Sequence, residues 1–521
     1  MPVSPYIKET MSSKTAGVIR KMFEEGLELK KKYGEDNVFD FSIGNPDLDP
    51  PKEIFECIEE LAKNREKNFH GYMPNPGYQF AREAMAKKTE TEQGVPVDFS
   101  SVVMSVGAAG ALNSLFKAIL SEGDNVIVPS PFFTEYRHYV HNYGGNLIEV
   151  PAKPDFSLDV DAISAALTEK TAAVLINSPN NPTGRIYSNE EIKKLAEVLE
   201  LHAKKCGRKP YLVCDEPYRA IVYDGNSVAP VFPVYDSAII VTSFAKNLSL
   251  PGERIGYICV NPVCPDKDEV VAACIFTTRI LGYVNAPAFF QRVVAKTWNV
   301  KVDYSLYKKR RDMLMDVLDE AGVEHIVPEG AFYMWCRAPE SFGADDMAFC
   351  DYLKKYNILS APGSGFGGKG WIRLAYCVSE ESIENSRKAF VKAMKDLEEE
   401  NINIRKLDKK EKQDLNNLKV IEKYLTRVLD EHQKILNSHF DLKILYTEEL
   451  ERLSQARLIQ RFSIRKDFYD KVLQKPASLE NMDMFFRPLF NKNPEKIYNL
   501  NKAFSYEKSA GMSEDKDIEE E

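Results

Sequence analysis

The sequence predicts an α/β fold on a largely parallel sheet, with a smaller α+β domain attached. Three observations carry this prediction. Residues 1 to about 400 alternate short apolar runs with longer amphipathic stretches at helical period. The apolar runs end in loops rich in Gly, Pro, Asn and Asp, where open α/β sheets bind ligands beyond the carboxyl ends of their strands. A chain of 521 residues is also too long for one small domain.

In order along the chain, Val102–Val106 reads as a strand running into Gly107-Ala108-Ala109-Gly110, followed by a helix over Gly110–Leu120. Small residues at such a junction let backbone N–H groups approach an anion at a helix N-terminus. Asn125–Val128 is the next strand. Ala172–Ile176 leads into Asn177-Ser178-Pro179-Asn180-Asn181-Pro182-Thr183-Gly184, then a helix over Glu190–Lys204. Tyr211–Cys214 ends in Asp215-Glu216-Pro217-Tyr218, and Ala238–Thr242 ends in Ser243-Phe244-Ala245-Lys246. Ile255–Val260 returns directly after Arg254. From Tyr304 to Met394 the pattern becomes helix, a strand near Ala331–Cys336, helix, a strand near Trp371–Tyr376, and helix, which predicts the smaller domain.

After Lys395 the composition shifts. Leu415, Leu418, Ile421, Leu425, Val428 and Leu429 recur at helical spacing among charges, and Leu450, Leu453, Ala456 and Ile459 continue the stripe. Asn437-Ser438-His439 marks a break, predicting a helical hairpin that needs a partner surface. Gly511–Glu521 is polar, acid-rich from Glu514, and predicts a disordered tail.

Composition narrows the function. The chain is 44% hydrophobic and 28% charged, ordinary for a globular protein, and its formal charge of −9 argues against nucleic-acid binding. No apolar run approaches the ~18 residues of a membrane span, and the start, MPVSPYIKETMSSK, lacks the apolar core of a secretory signal. Nine cysteines are scattered without CxxC pairs or a His/Cys ligand pattern, which predicts reduced thiols in the cytoplasm and no metal site.

Lys246, with Ser243 three residues before it and Arg254 eight after, suits one demanding task. Such a lysine can hold an aldehyde cofactor as a Schiff base while its neighbours grip that cofactor's phosphate. Each residue also has a plainer reading: a solvated surface lysine, a turn-capping Asp215, an Asn181-Pro182 turn, a core Phe133, an interface Tyr72. Ser243-x-x-Lys246 further matches the serine–lysine core of penicillin-interacting enzymes, but the companion KTG and SDN elements are missing from the chain.

The stretch Ser243 to Gly256, S-F-A-K-N-L-S-L-P-G-E-R-I-G, resembles the pyridoxal-phosphate attachment motif of class I/II aminotransferases. NNPTG, DEPY and WIRLAY are similar to that family's other landmarks, in the same order, and the resemblance covers roughly residues 1 to 398. It implies fold type I of the aspartate aminotransferase kind, with a seven-stranded type of sheet and a homodimer with shared active sites. The implied boundaries are 1–45 for an N-terminal arm and part of the small domain, 46–300 for the large cofactor domain and 301–398 for the small domain. A helical extension over 399–505 and an acidic tail over 506–521 complete the chain.

The resemblance also implies roles. Lys246 would bond the cofactor and then move the substrate's proton, Asp215 would pair with the pyridine nitrogen, and Asn181 and Tyr218 would hold the phenolic oxygen. Phe133 would stack on the ring. Ser243, Arg254 and the backbone of Gly107, Ala108 and Ala109 would hold the phosphate, with Tyr72 reaching it from the neighbouring subunit. Arg373 would grip the substrate α-carboxylate, with Asn181 beside it and the backbone near Gly44 closing over it. The sequence departs from aspartate-type relatives at Ala109, where some carry a polar or basic residue, and around Arg279, which falls near the place of a substrate-binding arginine. The implied reaction moves an amino group from an L-amino acid (aspartate, alanine or aromatic) to a 2-oxo acid such as 2-oxoglutarate. The alternatives are β-elimination from a sulfur amino acid, decarboxylation, or a tail-mediated assembly module on this scaffold. A transaminase needs a keto acid, whereas a lyase releases pyruvate and ammonia without one.

Overall fold

The computed structural model describes residues 3–12, 18–63 and 67–406. The chain separates into two compact units, Met1–Asp396 and Leu397–Glu521. Within the second, residues 397–406 are helical, and the sequence-predicted hairpin beyond them and the acidic tail lie outside the described residues.

A short strand, β1 (Phe39–Asp40), precedes the main sheet. That sheet has seven strands: β2 (Val102–Ser105), β3 (Asn125–Ser130), β4 (Asn146–Pro151), β5 (Thr171–Asn177), β6 (Tyr211–Asp215), β7 (Ala238–Ser243) and β8 (Gly256–Val260). Their order is β2-β8-β7-β6-β5-β3-β4. Every pairing is parallel except those of β8, which runs antiparallel to both β2 and β7. Helices cover both faces. Val174, Ile176, Leu212, Cys214 and Ile240 pack toward one core, while Ala173, Leu175, Val213, Ile239 and Val241 pack toward the other. Strands β5, β7 and β8 are buried along their whole length, which is why they read as unbroken apolar runs. Strand β4 escapes that signal. It lies at the sheet edge with Asn146, Glu149 and Pro151 exposed, so no apolar run marks it.

The helix after β2 spans Gly107–Ile119, starting three residues before the sequence-predicted start. Gly107 takes φ +74°, a left-handed conformation open to glycine, and so turns strand into helix at once. The free N–H groups of the first turn therefore belong to Gly107, Ala108 and Ala109. The helix Asn189–Cys206 opens on a Ser188/Glu191 capping box and closes on Gly207 at φ +73°.

The second sheet comprises β9 (His325–Ile326), β10 (Tyr333–Arg337), β12 (Ala361–Pro362) and β13 (Trp371–Ala375), antiparallel in the order β12-β13-β10-β9. The remaining strand, β11 (Ile358–Leu359), pairs in parallel with β1 and ties the N-terminal segment to this part of the chain. Among the described residues no helix is long and apolar enough to cross a membrane, and no cluster of His, Cys, Asp or Glu is placed to hold a metal.

Candidate active site

The loops after β5, β6 and β7 open into one cavity of about 490 Å³. Asn181, Asp215, Tyr218, Ser243, Lys246 and Arg254 line it from the main-sheet side, with Ala108 and Ala109 from the helix N-terminus. Gly44, Tyr333 and Arg373 close it from the opposite side, and Phe133 stands in its wall.

Asp215 is the last residue of β6 and is 5% exposed. Its Oδ2 accepts a hydrogen bond from the Tyr136 hydroxyl at 2.5 Å, while its Oδ1 is buried without a partner. Burial raises its pKa to about 7, against the Tyr136 hydrogen bond, and Glu216 adds to the rise. A buried carboxylate with one open oxygen calls for a cationic N–H donor. Asn177 shapes the neighbouring loop, donating to the Asp215 carbonyl at 2.8 Å and accepting from the Asn181 N–H at 2.7 Å.

Lys246 follows the end of β7. Its Nζ donates to the Gly44 carbonyl at 2.7 Å and lies 5.5 Å from the Phe332 ring centre. Burial lowers its pKa to about 8; Cys377 opposes the drop, and Arg373 and Arg254 add to it. Near neutral pH a useful fraction of the amine is unprotonated, the form that attacks a carbonyl.

An anion cradle lies below. Arg254 adopts φ +52°, costly for a residue with a side chain, and its Nη1 donates to the Pro251 carbonyl at 2.9 Å. A Cβ added at Gly107 would stand 3.1 Å from Arg254 Nη2, so this guanidinium flanks the helix N-terminus. Ser243, 5% exposed, lines the same cavity. Gly256 makes the close approach possible, because a Cβ there would press on the Gly107 backbone at 2.9 Å. Gly256→Ala is expected to destabilise the protein by about 1–3 kcal/mol, read by denaturant unfolding, and to weaken anion binding in the cradle.

Arg373, on β13, is 3% exposed. Its Nη1 donates to Asn181 Oδ1 at 3.0 Å and its Nη2 to the Ser42 carbonyl at 2.7 Å, leaving Nε buried without a partner. Its guanidinium lies 4.5 Å from the Tyr333 ring centre and 4.8 Å from that of Phe366. No described carboxylate pairs with it, so an incoming carboxylate would meet a buried, uncompensated cation.

Two predicted residues stand apart from the cavity on this chain. Tyr72 is 92% exposed, and Arg279 is exposed in the last turn of the helix Lys267–Ile280. In turn, sequence reasoning passed over Tyr136, Tyr333 and Ser42, and gave Asn177 no role of its own. Tyr136 opens a short helix three residues after Phe133 and stands edge-on to it at 5.5 Å; that proximity in sequence was its only signal.

Comparison with known proteins agrees with this geometry. The family model described as aminotransferase class I and II matches residues 36–390. A probable aspartate/prephenate aminotransferase of Aquifex aeolicus is 34% identical over 386 residues, covering 71% of this chain and 94% of its own. An amino transferase structure from Eubacterium rectale superposes with a TM-score of 0.72 at 39% identity, covering 76% of this chain and 99% of its own. An aspartate aminotransferase structure from Thermus thermophilus with maleate gives a TM-score of 0.67 at 28% identity, covering 75% and 100%. The chain belongs to the class I and II aminotransferases, pyridoxal-phosphate-dependent enzymes that move an amino group between an amino acid and a 2-oxo acid.

Proposed function

We propose that Lys246 is the cofactor-bonding and proton-transferring residue of this enzyme, and that the cavity residues divide the remaining work as follows. When bound, pyridoxal 5′-phosphate supplies an aldehyde for amines and a ring that withdraws electrons from the reacting carbon. Lys246 Nζ would take up the proton from the substrate Cα and hold it for return during the transfer. Asp215 Oδ1 accepts the ring N–H, with Oδ2 already anchored by Tyr136. Asn181 spends its carbonyl oxygen on Arg373, leaving its Nδ2 to donate beside the Tyr218 hydroxyl to the phenolic oxygen. Phe133 stacks on the ring. Ser243, Arg254 and the N–H groups of Gly107, Ala108 and Ala109 hold the phosphate. Arg373 pairs with the α-carboxylate, orienting the substrate, and the Gly44 segment covers it.

Tyr72 and Arg279, exposed here, serve the neighbouring cavity of a homodimer in this reading. The proposed donors are aspartate or aromatic amino acids, with alanine next and 2-oxoglutarate as acceptor, in the cytoplasm. The aspartate/prephenate aminotransferase relative supports the first, and an aromatic-amino-acid aminotransferase of Thermococcus litoralis, 28% identical to this chain, supports the second.

The observation that carries the reading is the convergence, in one cavity, of an amine with a lowered pKa and a buried carboxylate oxygen with no partner. Borohydride reduction of the cofactor-loaded protein followed by peptide mass mapping tests it. The cofactor should be fixed on Lys246; fixation elsewhere, or none, overturns the assignment.

These groups also set a pH dependence. The Asp215 pKa, raised from 3.8 to about 7, withdraws stability as pH climbs through that window. The Lys246 pKa, lowered from 10.5 to about 8, withdraws it as pH falls through that one. Both costs are near full between pH 7 and 8. Cofactor at a hundredfold excess over its Kd should stabilise by about 2.7 kcal/mol. The rise in melting temperature at a fixed cofactor concentration should be larger at pH 7.5 than at pH 5.

A further inference from the structure

Three parts of the cavity converge on Tyr333, the first residue of β10, 2% exposed. Its hydroxyl lies 2.8 Å from that of Tyr218, and both residues are buried. The Arg373 guanidinium lies over its ring at 4.5 Å. Gly44 has room beside it only because it lacks a Cβ, which would run into the phenol, and the Gly44 carbonyl is the one that holds Lys246 Nζ. One phenol therefore touches the residue assigned to the cofactor's phenolic oxygen, the residue assigned to the substrate carboxylate, and the segment that holds the lysine.

We propose that Tyr333 is a positioning residue whose hydroxyl fixes Tyr218 as an outward donor and so sets the acidity of the Lys246–cofactor linkage. The proposal rests on the roles assigned above to Tyr218 and Lys246. Each hydroxyl of the pair owns one proton. Once Tyr218 gives its proton to a third acceptor, only Tyr333 can donate into the pair. Hydrogen bonds in such a chain polarise one another, so donation from Tyr333 strengthens donation by Tyr218. The Arg373 cation on the ring face draws charge from the phenol and makes it a better donor. A stronger donor at the phenolic oxygen drains the negative charge that would otherwise retain the proton on the adjacent linkage. Tyr333 thus keeps that linkage more acidic. The other ionisable groups facing the pair and the lysine are Tyr136, Cys377, Arg373, Arg254 and Asp215, and substituting Tyr333 leaves all five in place.

The test uses holoenzyme reconstituted with pyridoxal 5′-phosphate, as wild type, Tyr333→Phe, Tyr218→Phe and the double variant. The visible absorption band is titrated with pH in each. Tyr333→Phe should raise the midpoint, a fall of about three- to tenfold in the acid dissociation constant. The same change in the Tyr218→Phe background should have no further effect. A second protein with 3,5-difluorotyrosine in place of Tyr333, a more acidic donor of nearly unchanged shape, should lower the midpoint and carries the test if the phenylalanine variant folds poorly. An unchanged midpoint, or an equal shift without Tyr218, overturns the proposal while borohydride labelling of Lys246 leaves the site assignment standing. Failure of wild-type Lys246 to take the label overturns both.

Discussion

Lys246→Ala is expected to lower turnover by at least about 10⁴-fold, since on the proposed assignment it removes a covalent anchor and the proton-transferring base together. The fold should survive the change. The amine makes one hydrogen bond, to the Gly44 carbonyl, and burial already holds its pKa near 8, so its charged form is a burden to the folded chain. Removing it should leave the cofactor-free protein as stable as wild type or slightly more so at pH 7. The anion cradle and Asp215 remain, so the variant should still bind the cofactor without a covalent bond. Steady-state transamination, thermal melting and cofactor retention on gel filtration together check the three parts of this expectation.

Asp215→Asn should move function and stability in opposite directions. On the proposed pairing with the ring nitrogen, losing this charge is expected to cost about 10²- to 10³-fold in turnover. Replacing a charged hydrogen bond by a neutral one should weaken cofactor binding about tenfold or more. The cofactor-free protein should instead gain stability above pH 7, because a carboxylate whose pKa is raised from 3.8 to about 7 opposes folding once ionised. At roughly 1.4 kcal/mol per pKa unit the gain is on the order of a few kcal/mol, less whatever the buried amide loses in unmet hydrogen bonds. Below about pH 3 this ionisation contribution should vanish, since the carboxyl is then neutral in both states, leaving only the amide's own hydrogen-bond loss. Melting curves of the two cofactor-free proteins across pH 4 to 8 check the sign.

Much of the fold was legible because central strands buried on both faces must be apolar throughout. Strands β5 to β8 announce themselves that way; Asp215 ends β6, and the Asn181 loop and Lys246 come soon after β5 and β7. Edge strand β4 was not legible, since half its residues face solvent and its pairing is set by β3 rather than by its own pattern. The two-residue pieces β1 and β11 hold together only through distant chain segments, which no local period encodes. Within the site, charged and amide groups in apolar surroundings stood out. Tyr136 and Tyr333 did not, because a buried aromatic in an apolar run reads as packing until a partner for its hydroxyl is seen. Tyr72 and Arg279 mark a different limit: the roles proposed for them need a second subunit, which neither one sequence nor one chain displays.

The visible absorption spectrum of the purified, cofactor-loaded protein, recorded while single amino acids are added, tests the central claim most directly. With wild type, one or more amino acids should convert the band of the Lys246-linked cofactor to that of its amine form, and a 2-oxo acid should restore it, while Lys246→Ala should not cycle. A band that persists while pyruvate and ammonia accumulate, or the same cycling in Lys246→Ala, would contradict it.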